Sequence, residues 1–468
     1  MDWLARQARA SDDRPALSDA RATLSYRDLA AAAARAAGRL EALGMGQGTI
    51  VLWEARSTLP ALIWLHAAIW AGATVAPFRP GLDPVALRAL AERIAARGLL
   101  SAEGERLGLT GVAFADLPRE NAPDLPPAPT DPERIATLMQ TSGSGGPAKL
   151  VPLRWRHHAA SVQAITDRLG LTADDRWLLC LPLHHIGGLA ILLRAALTGA
   201  SVTLHERFDA GRVAAELGHR GITHVSLVPT QLRRVVAALD RPVADSLRCV
   251  LIGGAPAEPA LLTRARAMGL PVVPTWGMTE AGSQLVTPSP TEVSAIDFST
   301  RPGLVGRPLD GVELRAAGVE GREDELEARA AQLFEGYADG PGGPDDRGWF
   351  ATGDRGVIDA DGWVRIIGRT RDLIISGGEN VDPLALERAL REAGLVDEAS
   401  VLGLPDAEWG ERVAAVVVSC RSAEALTRWA RAHLEPHERP RDWKIVDRLP
   451  RTDSGKPDRG ALIRLLER

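Results

Sequence analysis

Strand-like and helical stretches alternate from residue 175 to residue 280, and that alternation limits the fold more than any other feature of the chain. Apolar runs begin near Trp177, Ser201, Ile222, Leu247 and Pro271, and helical patterns fill the gaps at 187–197, 209–217, 230–239 and 258–268. A strand returning about every 20 to 25 residues, with a helix between, predicts a parallel sheet of βαβ units. In such sheets ligands bind beyond the carboxyl ends of the strands. The residues just after each strand are therefore the candidates: His184 and His185, Glu206, Pro229-Thr230-Gln231, Gly253-Gly254-Ala255-Pro256 and Trp276-Gly277-Met278-Thr279-Glu280. One rim thus gathers two histidines, an exposed indole, a glycine turn and a carboxylate. Gly254, Ala255 and Pro256 offer a side-chain-poor wall for a purine, and Trp276 can stack on it. Glu280 is a hard oxygen ligand suited to Mg²⁺, and Thr279 can donate to a phosphate oxygen. A structural role for His184 and His185 has as much support as a functional one.

A second candidate precedes this region. Thr141-Ser142-Gly143-Ser144-Gly145-Gly146-Pro147-Ala148-Lys149 follows the apolar run 135–139. Glycines let backbone N–H groups converge on one anion, hydroxyls add donors, and the lysine adds a point charge. The stretch reads as a polyphosphate cradle. It is not a Walker loop, which needs glycine before its lysine and Ser or Thr after, where this chain has Ala148 and Leu150. Gly143 to Ala148 does fit the dinucleotide pattern G-x-G-x-x-A, but that pattern must open a helix, and Val151-Pro152 would interrupt one. A nicotinamide or flavin enzyme is the weaker competitor.

Composition sharpens the case for the lysines. Of 55 basic residues only Lys149, Lys444 and Lys456 are lysine, and the other 52 are arginine. A lysine kept against that bias points to sites that need a compact, rotatable ammonium. Lys456 also lies in a glycine-bearing turn, Asp453-Ser454-Gly455-Lys456.

A chain of 468 residues predicts two or more domains. Residues 1–130 read as α/β, 300–370 as short strands and turns, and 371 onward as a separate α+β unit. That last unit is expected to have helices at 383–392 and 423–434 and strands at 399–404, 413–419 and 443–446. Asp354 follows a glycine in an expected turn, where its carboxylate could accept two ribose hydroxyls. A plain turn aspartate is the simpler reading. The net charge of −5 points to neither nucleic acid nor a membrane surface. Three widely spaced cysteines suit a reducing compartment. The apolar stretch 59–75, broken by Pro60, His66 and Gly72, reads as a buried helix rather than a membrane span. With no signal-peptide layout at the N-terminus, the expected location is cytoplasmic.

With these residues laid out, the chain resembles the adenylate-forming superfamily of acyl-CoA ligases, adenylation domains and luciferases. The matches are Thr141–Lys149, Trp276-Gly-Met-Thr-Glu280, Thr352-Gly-Asp354, Gly368-Arg-Thr-Arg-Asp-Leu-Ile-Ile375 and Ser454-Gly-Lys456, in order and suitably spaced. The fold implied is α/β. A large N-terminal domain, residues 1–370, would hold doubly wound βαβ subdomains and a small β-rich subdomain. A small mobile α+β domain, residues 371–468, would carry the catalytic lysine.

The reaction implied has two steps: a carboxylate attacks ATP to give acyl-AMP and pyrophosphate, then the thiol of coenzyme A displaces AMP. By resemblance, Thr141, Ser142, Gly143, Ser144, Gly145, Gly146 and Lys149 hold the β- and γ-phosphates. Thr279 holds the α-phosphate and Glu280 the Mg²⁺. Asp354 and Arg369 hold the ribose, and Arg371 is the hinge. Lys456 serves the carboxylate and α-phosphate, and His185 borders the acyl pocket. Gly377 and Gly378 would admit the pantetheine arm. Gly145, Ala148 and Trp276 depart from the usual threonine, proline and tyrosine.

Within the superfamily the chain is most similar to the o-succinylbenzoate–CoA ligase branch, through residues 181–189, 253–257, 277–287 and 376–383. The partners implied are a small carboxylic acid, ATP and CoA, with neither nucleic acid nor an integral membrane segment, and a homodimer is admissible. Rival readings are a CoA ligase for another aryl or medium-chain acid, a stand-alone adenylation enzyme loading a carrier protein, and a non-catalytic nucleotide-binding regulator.

Overall fold

The computed structural model describes residues 3–10, 13–104, 108–119, 122, 124–129, 131–141, 148–219, 221–318, 323–452 and 455–467. Its contacts form two compact units: residues 1–142, 148–313 and 329–350 in the first, and 314–328 and 351–468 in the second.

Two largely parallel sheets fill the first unit. One runs in the order Val272–Pro274, Cys249–Ile252, His224–Leu227, Arg176–Leu179, Ser201–Leu204, Pro15–Ser18 and Thr23–Ser25. All neighbours are parallel except the last pair. The strands start within two residues of the expected positions, because short β-branched runs bounded by turns are local signals. Helices Ile186–Thr198, Ala210–Leu217, Pro229–Ala238 and Pro259–Ala267 connect them. The strand order reverses at Arg176–Leu179, which lies between a strand that follows it directly and one that comes two strands later. Such a reversal opens a crevice at the carboxyl ends, where neighbouring connections leave to opposite faces.

The other sheet runs Thr110–Ala113, Gly98–Ser101, Ile50–Glu54, Thr74–Phe78, Ile135–Gln140 and Leu150–Arg154. Only its last pair is antiparallel. Helix Tyr26–Ala42 starts at a capping box in which Ser25 and Asp28 satisfy each other's backbone N–H groups. It packs by its fully buried Ala33, Ala36 and Ala37 beside helix Leu59–Trp70. That second helix is buried on 11 of its 12 residues, so the apolar stretch serves a core. No helix among the described residues is long and apolar enough to cross a membrane.

The second unit holds most of the residues of strands Val364–Arg369, Phe350–Ile358, Asp324–Ala330 and Val312–Ala316, which are neighbours in that order. The expected domain boundary, between residues 370 and 371, falls within the 3-10 turn Thr370–Asp372. Beyond it, strands Glu398–Asp406 and Gly410–Val418 pair antiparallel, with Asp442–Ile445 added in parallel. Helices Pro383–Glu392, Ala423–His433 and Arg459–Leu466 complete this part. Leu386 and Leu390 of the first helix enter its core.

Glu387 lies between them with only 13 % of its side chain exposed. Burial pushes its carboxyl up to about 7, against a hydrogen bond from Val401 N–H and the charge of Arg391, while Asp382 and Asp372 add to the rise. Folded, the group keeps its proton to about pH 7, whereas unfolded it releases it near 4.5. The folded state therefore binds more protons in that window, and this contribution makes stability fall as pH rises through it. Glu387→Gln should gain on the parent protein between pH 5 and 8, by up to about 3 kcal/mol. Amide-exchange protection around Val401 at the two pH values checks this; an equal pH dependence in both proteins would reject it.

Candidate active site

The cradle residues join the antiparallel strands Ile135–Gln140 and Leu150–Arg154, so the loop is the tip of a hairpin. A helix does not follow it, which removes the dinucleotide reading. Thr141 N–H donates to Lys149 O at 3.0 Å, and Lys149 N–H donates to Thr141 Oγ1 at 3.1 Å. These bonds pinch the loop at its base. Ser142, Gly143, Ser144, Gly145 and Gly146 lie outside the described residues. Lys149 is exposed, and its Nζ sits 4.2 Å from the centroid of the Tyr337 ring.

Trp276–Met278 and Ser283–Val286 form a second hairpin around the 3-10 turn Thr279–Ala281. Its tightness depends on Gly277, where a Cβ would stand 1.9 Å from Ser283 O. Ser283 has φ +144°, a conformation costing of order 1–3 kcal/mol in a non-glycine residue. The turn presents Thr279 and Glu280 half-buried. Glu280 Oε1 accepts from the Tyr337 hydroxyl at 2.8 Å.

The expected exposed indole is a correction: Trp276 is only 8 % exposed, because strand pairing with Val286 turns it into the structure. Gly254, Ala255 and Pro256 follow strand Cys249–Ile252, which pairs with Val272–Pro274 just before Trp276, and Gly254 and Pro256 are exposed.

His184 and His185 follow Arg176–Leu179 at the reversal of strand order, with ring centroids 4.2 Å apart. Burial, then the charge of Arg79, lowers His184 to about 4. It is neutral at pH 7 and can shape a pocket without adding charge. Arg79 follows Thr74–Phe78 of the other sheet, and its charge reaches His184.

Arg194 was not among the sequence candidates. On helix Ile186–Thr198 it is 1 % exposed. Its Nη2 donates to Gln284 Oε1 and, at 3.2 Å, to Ser283 Oγ, and its guanidinium lies 5.6 Å from the Trp177 ring. Nε and Nη1 have no hydrogen-bond partner. Burial lowers it to about 10, so it remains a cation. A charge buried with two idle donors is costly unless an anion arrives to use them. The available signal was a single charge inside the otherwise apolar run Ile186-Gly-Gly-Leu-Ala-Ile-Leu-Leu-Arg194. Tyr337 was also missed, although Tyr26 and Tyr337 are the only tyrosines in the chain.

In the second unit Asp354 and Arg369 are paired across Phe350–Ile358 and Val364–Arg369, with Asp354 Oδ1 2.8 Å from Arg369 Nε. Asp354 thus lies within a strand rather than the expected turn, and it is 4 % exposed. Gly353 before it has φ +72°, a local kink that imitates a turn signature. Asp354→Ala should weaken ATP binding by about 10- to 100-fold, the worth of charged hydrogen bonds to two hydroxyls. Calorimetry measures it, and an unaltered Kd would reject the ribose contact.

Arg371 is exposed in the 3-10 turn Thr370–Asp372. Gly377 and Gly378 form the two-residue turn of the hairpin Ile374–Ser376 and Glu379–Val381, with φ +63° and +85°. Such a turn needs positive φ at both positions, which explains paired glycines. Lys456 is half-buried on a tight turn held by Thr452 N–H to Lys456 O at 2.8 Å.

The donor set also bears on Mg²⁺. No group of three or more His, Cys, Asp or Glu able to hold a metal occurs among the described residues. One carboxylate beside a phosphate-binding loop still fits Mg²⁺, which takes one or two carboxylates and draws its other ligands from phosphates and water.

A glycine-rich hairpin ending in a lysine, a half-buried carboxylate on a second hairpin and a buried cation with idle donors suit an enzyme that handles anions. The chain belongs to the AMP-binding enzyme family, which matches residues 4–338, and the AMP-binding enzyme C-terminal domain matches residues 385–456. Its relatives include the 2-succinylbenzoate–CoA ligases of Bacillus licheniformis (33 % identical, covering 97 % of this chain and 98 % of that one) and Geobacillus kaustophilus (34 %, covering 99 % and 98 %). Among solved structures it is similar to the o-succinylbenzoate coenzyme A synthetase of Bacillus subtilis in complex with the acyl-adenylate intermediate. That likeness has a TM-score of 0.89 at 30 % identity, covering 98 % of this chain and 97 % of that one.

Proposed function

We propose that this chain is an ATP-dependent, AMP-forming acid–CoA ligase whose acid is o-succinylbenzoate. Arg194 carries the choice of acid. o-Succinylbenzoate has two carboxylates: one is activated, and the other stays ionised through the reaction. An ionised carboxylate leaving water needs a buried, hydrogen-bonding cation, and Arg194 offers two idle N–H donors from a fully buried position. A monocarboxylic acid would leave them unsatisfied.

The other residues divide the work by charge. The two anions of the first step, carboxylate and triphosphate, repel, so catalysis consists largely of placing fixed positive charge and donors around them. Lys149 and the cradle take the β- and γ-phosphates, with Thr141 and Lys149 holding the loop closed at its base. Thr279 donates to the α-phosphate, and the carboxylate of Glu280 holds Mg²⁺, which when bound neutralises phosphate charge. Gly254, Ala255, Pro256 and Trp276 take the adenine, and the Asp354–Arg369 pair takes the ribose. Lys456 stabilises the charge that builds between the attacking carboxylate and the α-phosphorus. His185 bounds the acyl pocket, Arg371 is the hinge at a domain boundary near residue 370, and the Gly377-Gly378 turn takes the pantetheine arm. We further infer a cytoplasmic enzyme whose partners are small molecules.

Pyrophosphate release with a panel of acids, with and without CoA, tests the reading. The expected result is highest kcat/KM with o-succinylbenzoate and a CoA thioester as product. Preference for another acid would overturn the substrate, and an adenylate never transferred to CoA would favour a carrier-loading enzyme.

A further inference from the structure

Glu280 and Lys149 bear opposite charges on two different hairpins, yet no ion pair joins them among the described residues. Tyr337 occupies both. Its hydroxyl donates to Glu280 Oε1 at 2.8 Å, while the Lys149 ammonium lies over its ring face at 4.2 Å from the centroid. The backbone around Tyr337 repeats this arrangement. Phe334 N–H donates to Glu280 O at 2.8 Å, and Ala338 N–H donates to Leu150 O at 2.9 Å, beside Lys149. Asp339 Oδ1 accepts from Leu150 N–H at 3.3 Å. The ring itself is fixed edge-on to Phe334, with centroids 4.9 Å apart. Segment 334–339 is therefore bonded on one side to the metal-binding turn and on the other to the base of the phosphate loop.

Building on the ligase reading, we propose that Tyr337 is a positioning residue that sets Glu280 and Lys149 for Mg·ATP and keeps them from neutralising each other. The phenol holds one carboxylate oxygen, so the other faces the metal in a fixed orientation. Hydrogen bonds that orient a metal's carboxylate are worth about 10- to 100-fold in metal affinity. The ring face holds the ammonium by a cation–π contact, weak enough to be exchanged for a phosphate when nucleotide enters. Without the ring, a flexible lysine can fold onto Glu280 and occupy the oxygen intended for the metal.

Calorimetric titration of ATP into the full chain, in EDTA and across a magnesium series, separates the two functions. Tyr337→Phe keeps the ring and removes the donor. It should leave ATP affinity in EDTA unchanged and raise the magnesium concentration for half-maximal ATP binding by about tenfold. Tyr337→Leu should in addition weaken ATP binding in EDTA. In a Glu280→Gln background, Tyr337→Phe should have no further effect on the magnesium dependence, an outcome a merely structural tyrosine would not produce. Magnesium dependence unchanged in Tyr337→Phe, with the parent protein binding Mg·ATP and forming AMP, overturns the proposal and leaves the ligase reading standing. A parent protein that binds no Mg·ATP would overturn that reading as well. Should the phenylalanine variant be unstable, Tyr337→Leu is compared with Tyr337→Leu/Lys149→Ala: equal magnesium dependence in both would reject interference by the lysine, and a lower magnesium requirement in the double variant would support it.

Discussion

Lys456→Ala is expected to slow acyl-adenylate formation by about 10³-fold while leaving thioester formation from supplied acyl-adenylate within a few-fold of the parent. The first step brings a carboxylate to a triphosphate, and removing one preorganised donor from such a transition state costs about 10²- to 10³-fold. The second step attacks an adenylate already made, so an ammonium serving only the first encounter is not required. Lys456→Arg should not restore the rate, because a planar guanidinium cannot reproduce a compact point charge. The residue sits half-buried on a turn held by backbone bonds from Thr452, so its truncation should leave the fold intact. Pyrophosphate exchange reports the first half-reaction and thioester release from synthetic adenylate the second. Equal loss in both would reject the assignment.

Arg194→Met separates recognition from stability. Truncating one partner of a buried charge pair typically costs 2–5 kcal/mol, so affinity for o-succinylbenzoate should fall by about 10²-fold or more. The same acid without its ring carboxylate should bind parent and variant almost equally. The fold should not suffer in proportion, since replacing a buried unpaired charge by an apolar chain of similar length is often neutral or stabilising. The offsetting loss is the hydrogen bonds to Gln284 and Ser283, worth about 1.5 kcal/mol each. Unchanged discrimination between the two acids would remove Arg194 from the acyl pocket and with it the physical case for a diacid.

Much of the architecture was legible without coordinates. Helix Pro383–Glu392 has the expected bounds because Asp382 caps it, accepting from Leu384 N–H at 2.9 Å, and proline stands at its first position. The cradle and Lys456 were proposed for a similarly local reason: glycine, hydroxyl and lysine in one short window suggest their chemistry. Trp276 and Asp354 were misplaced. The indole is buried by pairing with Val286, and the carboxylate is committed to Arg369, 15 residues away and in register across two strands.

Arg194 shows where local reading ends. Its oddity, a charge in an apolar helix, is visible in sequence, but Trp177, Ser283 and Gln284 gather around it from up to 90 residues away. Tyr337 is similar, lying 57 residues from Glu280 and 188 from Lys149 in the chain. The amino-acid sequence alone determined the alternation of strands and helices, the glycine-rich loop and the family's run of motifs, since each depends on propensities and spacings within a few turns of backbone. Only the tertiary structure decided which cation is buried with donors to spare and which side chain stands between Glu280 and Lys149. Desolvation and cross-chain hydrogen bonding are properties of packed neighbours, and those neighbours are set by how the sheets close on one another.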